Sequence, residues 1–155
     1  MDECYKYLYR ALRKEEVNAG NILIPKSQGP FRSHPRLSID TNLPFWLGER
    51  KEYAIRQHQW QQSGFPTSGI STTPHFERAK FYAQDGVIVK IDRQLFGKYS
   101  IKEYVVKEYL EKFPEDIAAP EDDEIILVKE DDGPFPKEVI KEVITLIIHR
   151  LQLFS

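Results

Sequence analysis

Thiols, metal-ligand clusters and long apolar runs are what this sequence has least of. Its one cysteine, Cys4, rules out an internal disulfide and a cysteine-rich metal site. The four histidines, His34, His58, His75 and His149, stand far apart and make no ligand-spaced pair, so no metal is expected. No apolar run approaches the length that crosses a bilayer. The opening residues, Met1-Asp2-Glu3-Cys4-Tyr5-Lys6, lack the basic-then-apolar form of a signal peptide. A soluble protein is expected, with export by a route lacking such a signal left open. Excess charge of one sign is missing too, with 22 Lys and Arg against 24 Asp and Glu. That balance gives no support for duplex DNA or an anionic membrane as the main partner. There is no internal repeat, no glycine-rich dinucleotide turn and no regular βαβ rhythm. What remains is 155 residues, enough for one domain with a core of its own.

Within that domain, strands and helices are interspersed, and an α+β fold is expected. Tyr5 to Leu12 alternates as a strand, with Leu8, Arg10 and Leu12 on one face and Tyr7, Tyr9 and Ala11 on the other. Arg13 to Asn18 reads as a short polar helix ended by Gly20, followed by the extended Asn21-Ile22-Leu23-Ile24-Pro25. From Lys26 to Phe45 the chain is rich in Ser, Pro, Gly and basic residues, a connection long enough to cover a site and a hint of an anionic ligand. Leu47 to Gln62 reads as a helix in which His58 is a packed residue by default. Gly86 to Asp92 is a strand, and Ser100 to Phe113 a helix opened by the capping box Ser100…Glu103. Pro114 to Asp123 is an acidic loop leading into Glu124-Ile125-Ile126-Leu127-Val128, apolar on both faces and so a buried strand. Asp131 to Pro134 is a turn, and the tail from Pro136 fits a helix by period but a strand by its β-branched density, the preferred reading being a short helical turn followed by a strand.

The stretch Gly69 to Ala83 organises the rest. Ile70, Thr72 and Thr73 suit an extended backbone, and Pro74 suits the first position of a helix with Thr73 as its N-cap. Phe76, Ala79 and Ala83 then share a helical face. Just ahead, Gly64 to Ser71 imitates a phosphate-binding P-loop. Ile70 stands where that loop needs lysine and Pro66 removes an amide donor, so a nucleoside triphosphatase is excluded.

Two charged residues on other strands give this corner a chemical meaning. Arg10 lies between two leucines on its own face, so it is either paired with a carboxylate or held for an anion. Glu124 opens a buried strand, where it needs a polar partner, and Asp122 shares its face if the backbone there is already extended. A salt bridge at the strand's end is the plainer alternative.

Tyr9-Arg10-Ala11, then Ser71-Thr72-Thr73 running into a helix, then Glu124-Ile125-Ile126-Leu127 resemble, in that order, the ADP-ribosyltransferases of the Arg–Ser–Glu group, the cholera-toxin and clostridial-toxin type. The resemblance implies a split β-sandwich with flanking helices over residues 1–155, NAD as co-substrate, no metal, and a toxin or effector role. The reaction is cleavage of the nicotinamide–ribose bond through an oxocarbenium-like transition state. Nicotinamide leaves neutral and needs no general acid. Glu124 is then the carboxylate beside the developing cation and the ribose hydroxyl, with Ser71 orienting it and Arg10 binding a phosphate. Thr72 and Thr73 line the cofactor strand and hold its geometry. Phe81, Tyr82 and Phe31 are the rings available to stack on nicotinamide.

Where the family carries Glu or Gln two residues before the catalytic Glu, this chain has Asp122, which is thereby the acceptor-binding residue, with arginine among the groups it could hold. The acidic loop disfavours a nucleic-acid acceptor and favours a basic protein surface. Two other readings stay open: an NAD glycohydrolase on the same site, and a non-catalytic binding domain in which Arg10 and Glu124 pair directly.

Overall fold

A computed structural model describes residues 5–26, 55, 68–111, 114–131 and 134–147. Two three-stranded antiparallel sheets carry the fold. β1 (Tyr7–Ala11), β3 (Val87–Asp92) and β6 (Ile140–Thr145) form one, in the order β1-β3-β6. β2 (Ile70–Thr72), β5 (Ile125–Lys129) and β4 (Ile101–Val105) form the other, in the order β2-β5-β4. Helices among the described residues are short: α1 (Lys14–Asn18), α2 (Phe76–Tyr82) and α3 (Val106–Tyr109). The architecture is α+β.

The first strand forms as its alternation predicts. Leu8 and Leu12 are buried on one face, and that face meets Ile70, Val89, Ile91, Ile125 and Leu127 in a core shared by both sheets. The other face of β5 sends Ile126 and Val128 into a second cluster with Tyr104, Val106, Leu110 and Ile55. β5 is therefore buried on both faces, each of its apolar side chains contributing roughly 1.5–3 kcal/mol. The sheets are joined where Tyr9 and Thr73 exchange backbone hydrogen bonds at 2.7 and 3.0 Å.

The sequence reading of Ser100 to Phe113 as one helix is overturned. Ser100 is left-handed (φ 59°), Ile101–Val105 is a strand, and only Val106–Tyr109 is helical. Glu103 caps nothing, because Arg93 takes it in a forked pair at 2.7 and 2.7 Å. Residues 101–105 satisfy both periods, and the open edge of β5 decides between them. Thr73 is likewise not the N-cap of α2. The bridge to Tyr9 keeps Thr73 extended, so α2 starts at Phe76 with His75 as N-cap. The tail does form a short 3-10 turn, Lys137–Val139, followed by β6. The basic segment after Lys26, the Leu47–Gln62 helix apart from Ile55, the start of the P-loop-like stretch, and Cys4, Phe31, His34, His58, Phe113 and His149 lie outside the described residues.

Candidate active site

Three sequence-distant pieces converge at the open end of β2. Ser71 pairs in register with Ile126, so its side chain lies on the face of β5 that Glu124 continues. The Ser71 hydroxyl donates to Glu124 Oε2 at 2.5 Å, across 53 residues of sequence. From β1, Arg10 Nη1 donates to the Ser71 carbonyl at 2.9 Å. The serine is thus held from one side by the guanidinium and bonded on the other to the half-buried carboxylate.

Arg10 has a carboxylate partner, and it is Glu16 of α1. Glu16 is 0% exposed yet fully satisfied. Its oxygens accept from Arg10 Nε at 3.2 Å and Nη2 at 3.1 Å, from the Arg13 amide at 2.8 Å and from the Ile24 amide at 3.0 Å. One buried side chain therefore ties β1, the start of α1 and the extended piece after Gly20 together. Gly20 permits that return at φ 101°, a backbone conformation disfavoured by any residue with a Cβ. Burial lowers the Arg10 guanidinium from its ordinary value; Glu16 opposes this most, and the more distant Glu124 opposes it too. Sequence reasoning missed Glu16, having read residues 13–18 only as a short polar helix. The signal was the demand itself: an arginine between two buried leucines needs a carboxylate, and Glu16 is six residues away.

Beside this hub opens a cleft of about 810 Å³. Arg10, Arg13, Lys14, Lys26, Ser71 and Tyr82 are among its walls, with Glu15 and Asp85 the acidic ones. Its volume falls within the roughly 300–1,000 Å³ usual for small-molecule sites. Of the five N–H donors of Arg10, three are engaged, by Glu16 and Ser71, and the side chain also lines the cleft.

The remaining predicted site residues are placed as follows. Thr72 is buried, and its hydroxyl donates to the Ile125 carbonyl at 2.7 Å. Thr73, also buried, donates to the Asp122 carbonyl at 2.6 Å and accepts from the His75 amide at 3.1 Å. Both threonines hold β2 against β5 and the turn before it. Tyr82 reaches the cleft, whereas Phe81 is 70% exposed with its ring edge-on to Tyr82.

Asp122 does not share Glu124's face by strand alternation. Pro120–Asp122 is a 3-10 turn and Asp123 is left-handed (φ 48°), so the backbone is not yet extended there. Its carboxylate turns to α2 instead. Arg78 Nε donates to Oδ1 at 2.6 Å and the Tyr82 hydroxyl to Oδ2 at 2.7 Å. Burial, then the bond to Asp122, raises the Tyr82 phenol from its usual value. Asp123 is held by Lys107 at 2.5 Å and His75 at 2.6 Å. Burial works to raise the Asp123 carboxyl, but these two bonds outweigh it and keep it below the usual range.

Among the described residues no group of three or more His, Cys, Asp or Glu could hold a metal ion. Nor is any described helix long and apolar enough to cross a membrane. Comparison with protein-family models and with curated proteins finds no match to this chain.

Proposed function

We propose that this protein is an NAD-dependent mono-ADP-ribosyltransferase, its two sheets forming the split β-sandwich of that group. The observation that carries the reading is the joint between Ser71 and Glu124, with Arg10 bonded to the same serine at the edge of a cation-walled cleft. In this reading NAD lies in the cleft with its pyrophosphate toward Arg10, Arg13 and Lys26. A guanidinium already fixed by Glu16 loses little freedom on meeting a phosphate.

The reacting sugar carbon gains positive charge as the bond to nicotinamide breaks. A carboxylate locked in place by a hydroxyl stabilises that charge without having to reorient. Nicotinamide departs neutral, taking the bonding electrons. In this reading Tyr82, which is on the cleft wall, stacks on it, and Phe81 does not. The acceptor is a protein side chain, in keeping with the acidic surface ahead of Glu124. Pairing of Arg10 with Glu16 speaks against the reading in which Arg10 and Glu124 merely pair with each other.

The test is turnover of labelled NAD by the wild type and by Glu124→Ala, with cell lysate as acceptor. The wild type is expected to release nicotinamide and label protein, and the variant to lose on the order of 100-fold in rate. Equal rates would remove Glu124 from the mechanism. NAD loss with purified protein alone, unaffected by lysate, would make the enzyme a glycohydrolase.

A further inference from the structure

We propose that Arg78 sets acceptor specificity: it closes Asp122 to guanidinium groups, so the acceptor is an uncharged amide or hydroxyl side chain. The inference rests on the transferase reading above and concerns the acceptor side of that same site.

In sequence, Glu121-Asp122-Asp123 looks like a trap for cations. In the fold every one of these acids has a basic partner from the chain itself. Arg78 takes Asp122 at 2.6 Å and lies 3.6 Å from Glu121. Lys107 and His75 take Asp123 at 2.5 and 2.6 Å. Asp122 is the most enclosed of the three, its side chain 13% exposed, and both of its oxygens are engaged because Tyr82 donates to the second. Arg78 is also anchored by rings, its guanidinium 4.7 Å from the centre of Phe81 and 5.5 Å from that of Tyr82.

An incoming arginine needs a carboxylate to hold it and to take its proton, because a guanidinium stays charged at any ordinary pH. At Asp122 it would find no free oxygen and would meet the like charge of Arg78. An uncharged nucleophile has neither difficulty. Its lone pair forms the bond to the ribose carbon as the bond to nicotinamide breaks and that electron pair leaves with the base. The acceptor's proton passes to water.

The test uses purified wild type, Arg78→Ala and Arg78→Gln with NAD, with and without agmatine, a small free guanidine. Nicotinamide release and ADP-ribosyl-agmatine are measured separately, and circular dichroism checks the fold. The wild type is expected to release nicotinamide to water at a rate agmatine leaves unchanged. Arg78→Ala is expected to form the agmatine adduct at least about 10-fold faster, since the like charge that opposes an incoming guanidinium is gone. Arg78→Gln keeps a donor to Asp122 without the charge; it is expected to gain as well, and it decides the matter should the alanine variant misfold. Adduct formation by the wild type would overturn the proposal. So would folded variants that release nicotinamide and make no adduct. Absence of release from every protein, with cell lysate added as well as without it, would remove the transferase reading, and this inference with it.

Discussion

Arg10 and Asp122 each belong to a charge network beside the Ser71–Glu124 joint, yet one network is sealed and the other faces solvent. On the Arg10 side, Glu16 is fully buried and satisfied by four donors from three segments of chain. On the Asp122 side, the partners reach the surface: Tyr82 is 45% and the Arg78 side chain 26% exposed, and the neighbouring Lys107–Asp123 pair is 48% and 39% exposed. A buried pair is costly to break because the surviving charge has no water to turn to. An exposed pair loses little, since water and salt replace it. The sealed network therefore builds the cleft, and the open one adjusts what approaches it.

Breaking the sealed side should give the largest effect. Glu16→Ala leaves Arg10 and two amides without their acceptor and is expected to cost roughly 3–5 kcal/mol in urea unfolding. Glu16→Gln keeps part of the hydrogen bonding and is expected to cost less. Ser71→Ala sharpens the comparison at the joint itself. Removing a hydrogen bond to a charged group is expected to raise the activation barrier by about 1.5–3 kcal/mol, read as nicotinamide release, with a much smaller change in melting temperature. On the open side, Lys107→Ala is expected to cost about 0–1 kcal/mol in the same urea titration, and less in high salt. A cost as large as that of Glu16→Ala would erase the distinction between the two networks.

The smallest effect is one of pH. The Asp123 carboxyl is depressed in the fold, so its contribution is present above the unfolded value near 3.9 and fades as pH falls through the lower folded value. The melting-temperature difference between wild type and Asp123→Asn is expected to shrink as pH falls below about 4. A difference that grew on acidification would reverse the sign.

Much of the frame was legible because it depends on local pattern. Leu8-Tyr9-Arg10 alternates and Ile125 to Val128 is apolar on both faces, which favours strands, whereas the tail fitted a helix by period as well and its β-branched density tipped it toward β6. The strand Ile101–Val105 was not legible. Its residues fit a helix with a capping box as well as a strand, and Arg93 claimed the glutamate that the cap required. At the site, the serine, the late carboxylate and the early arginine were visible as residue types in order. The partners of the two outer charges were not: neither Glu16 nor Arg78 had an assigned role.

Sequence alone carried the strand pattern, and it required either a carboxylate or a bound anion for Arg10 without saying which. Both follow from properties that travel with a residue: side-chain period, apolar surface and the cost of an unpaired charge. Only the packed sheets decided that Glu16 answers Arg10, that Arg78 answers Asp122, and that Ser71 reaches Glu124 over 53 residues. The physical reason is that a charge takes whichever partner the surrounding packing brings within about 3 Å, and sequence separation places no bound on that distance.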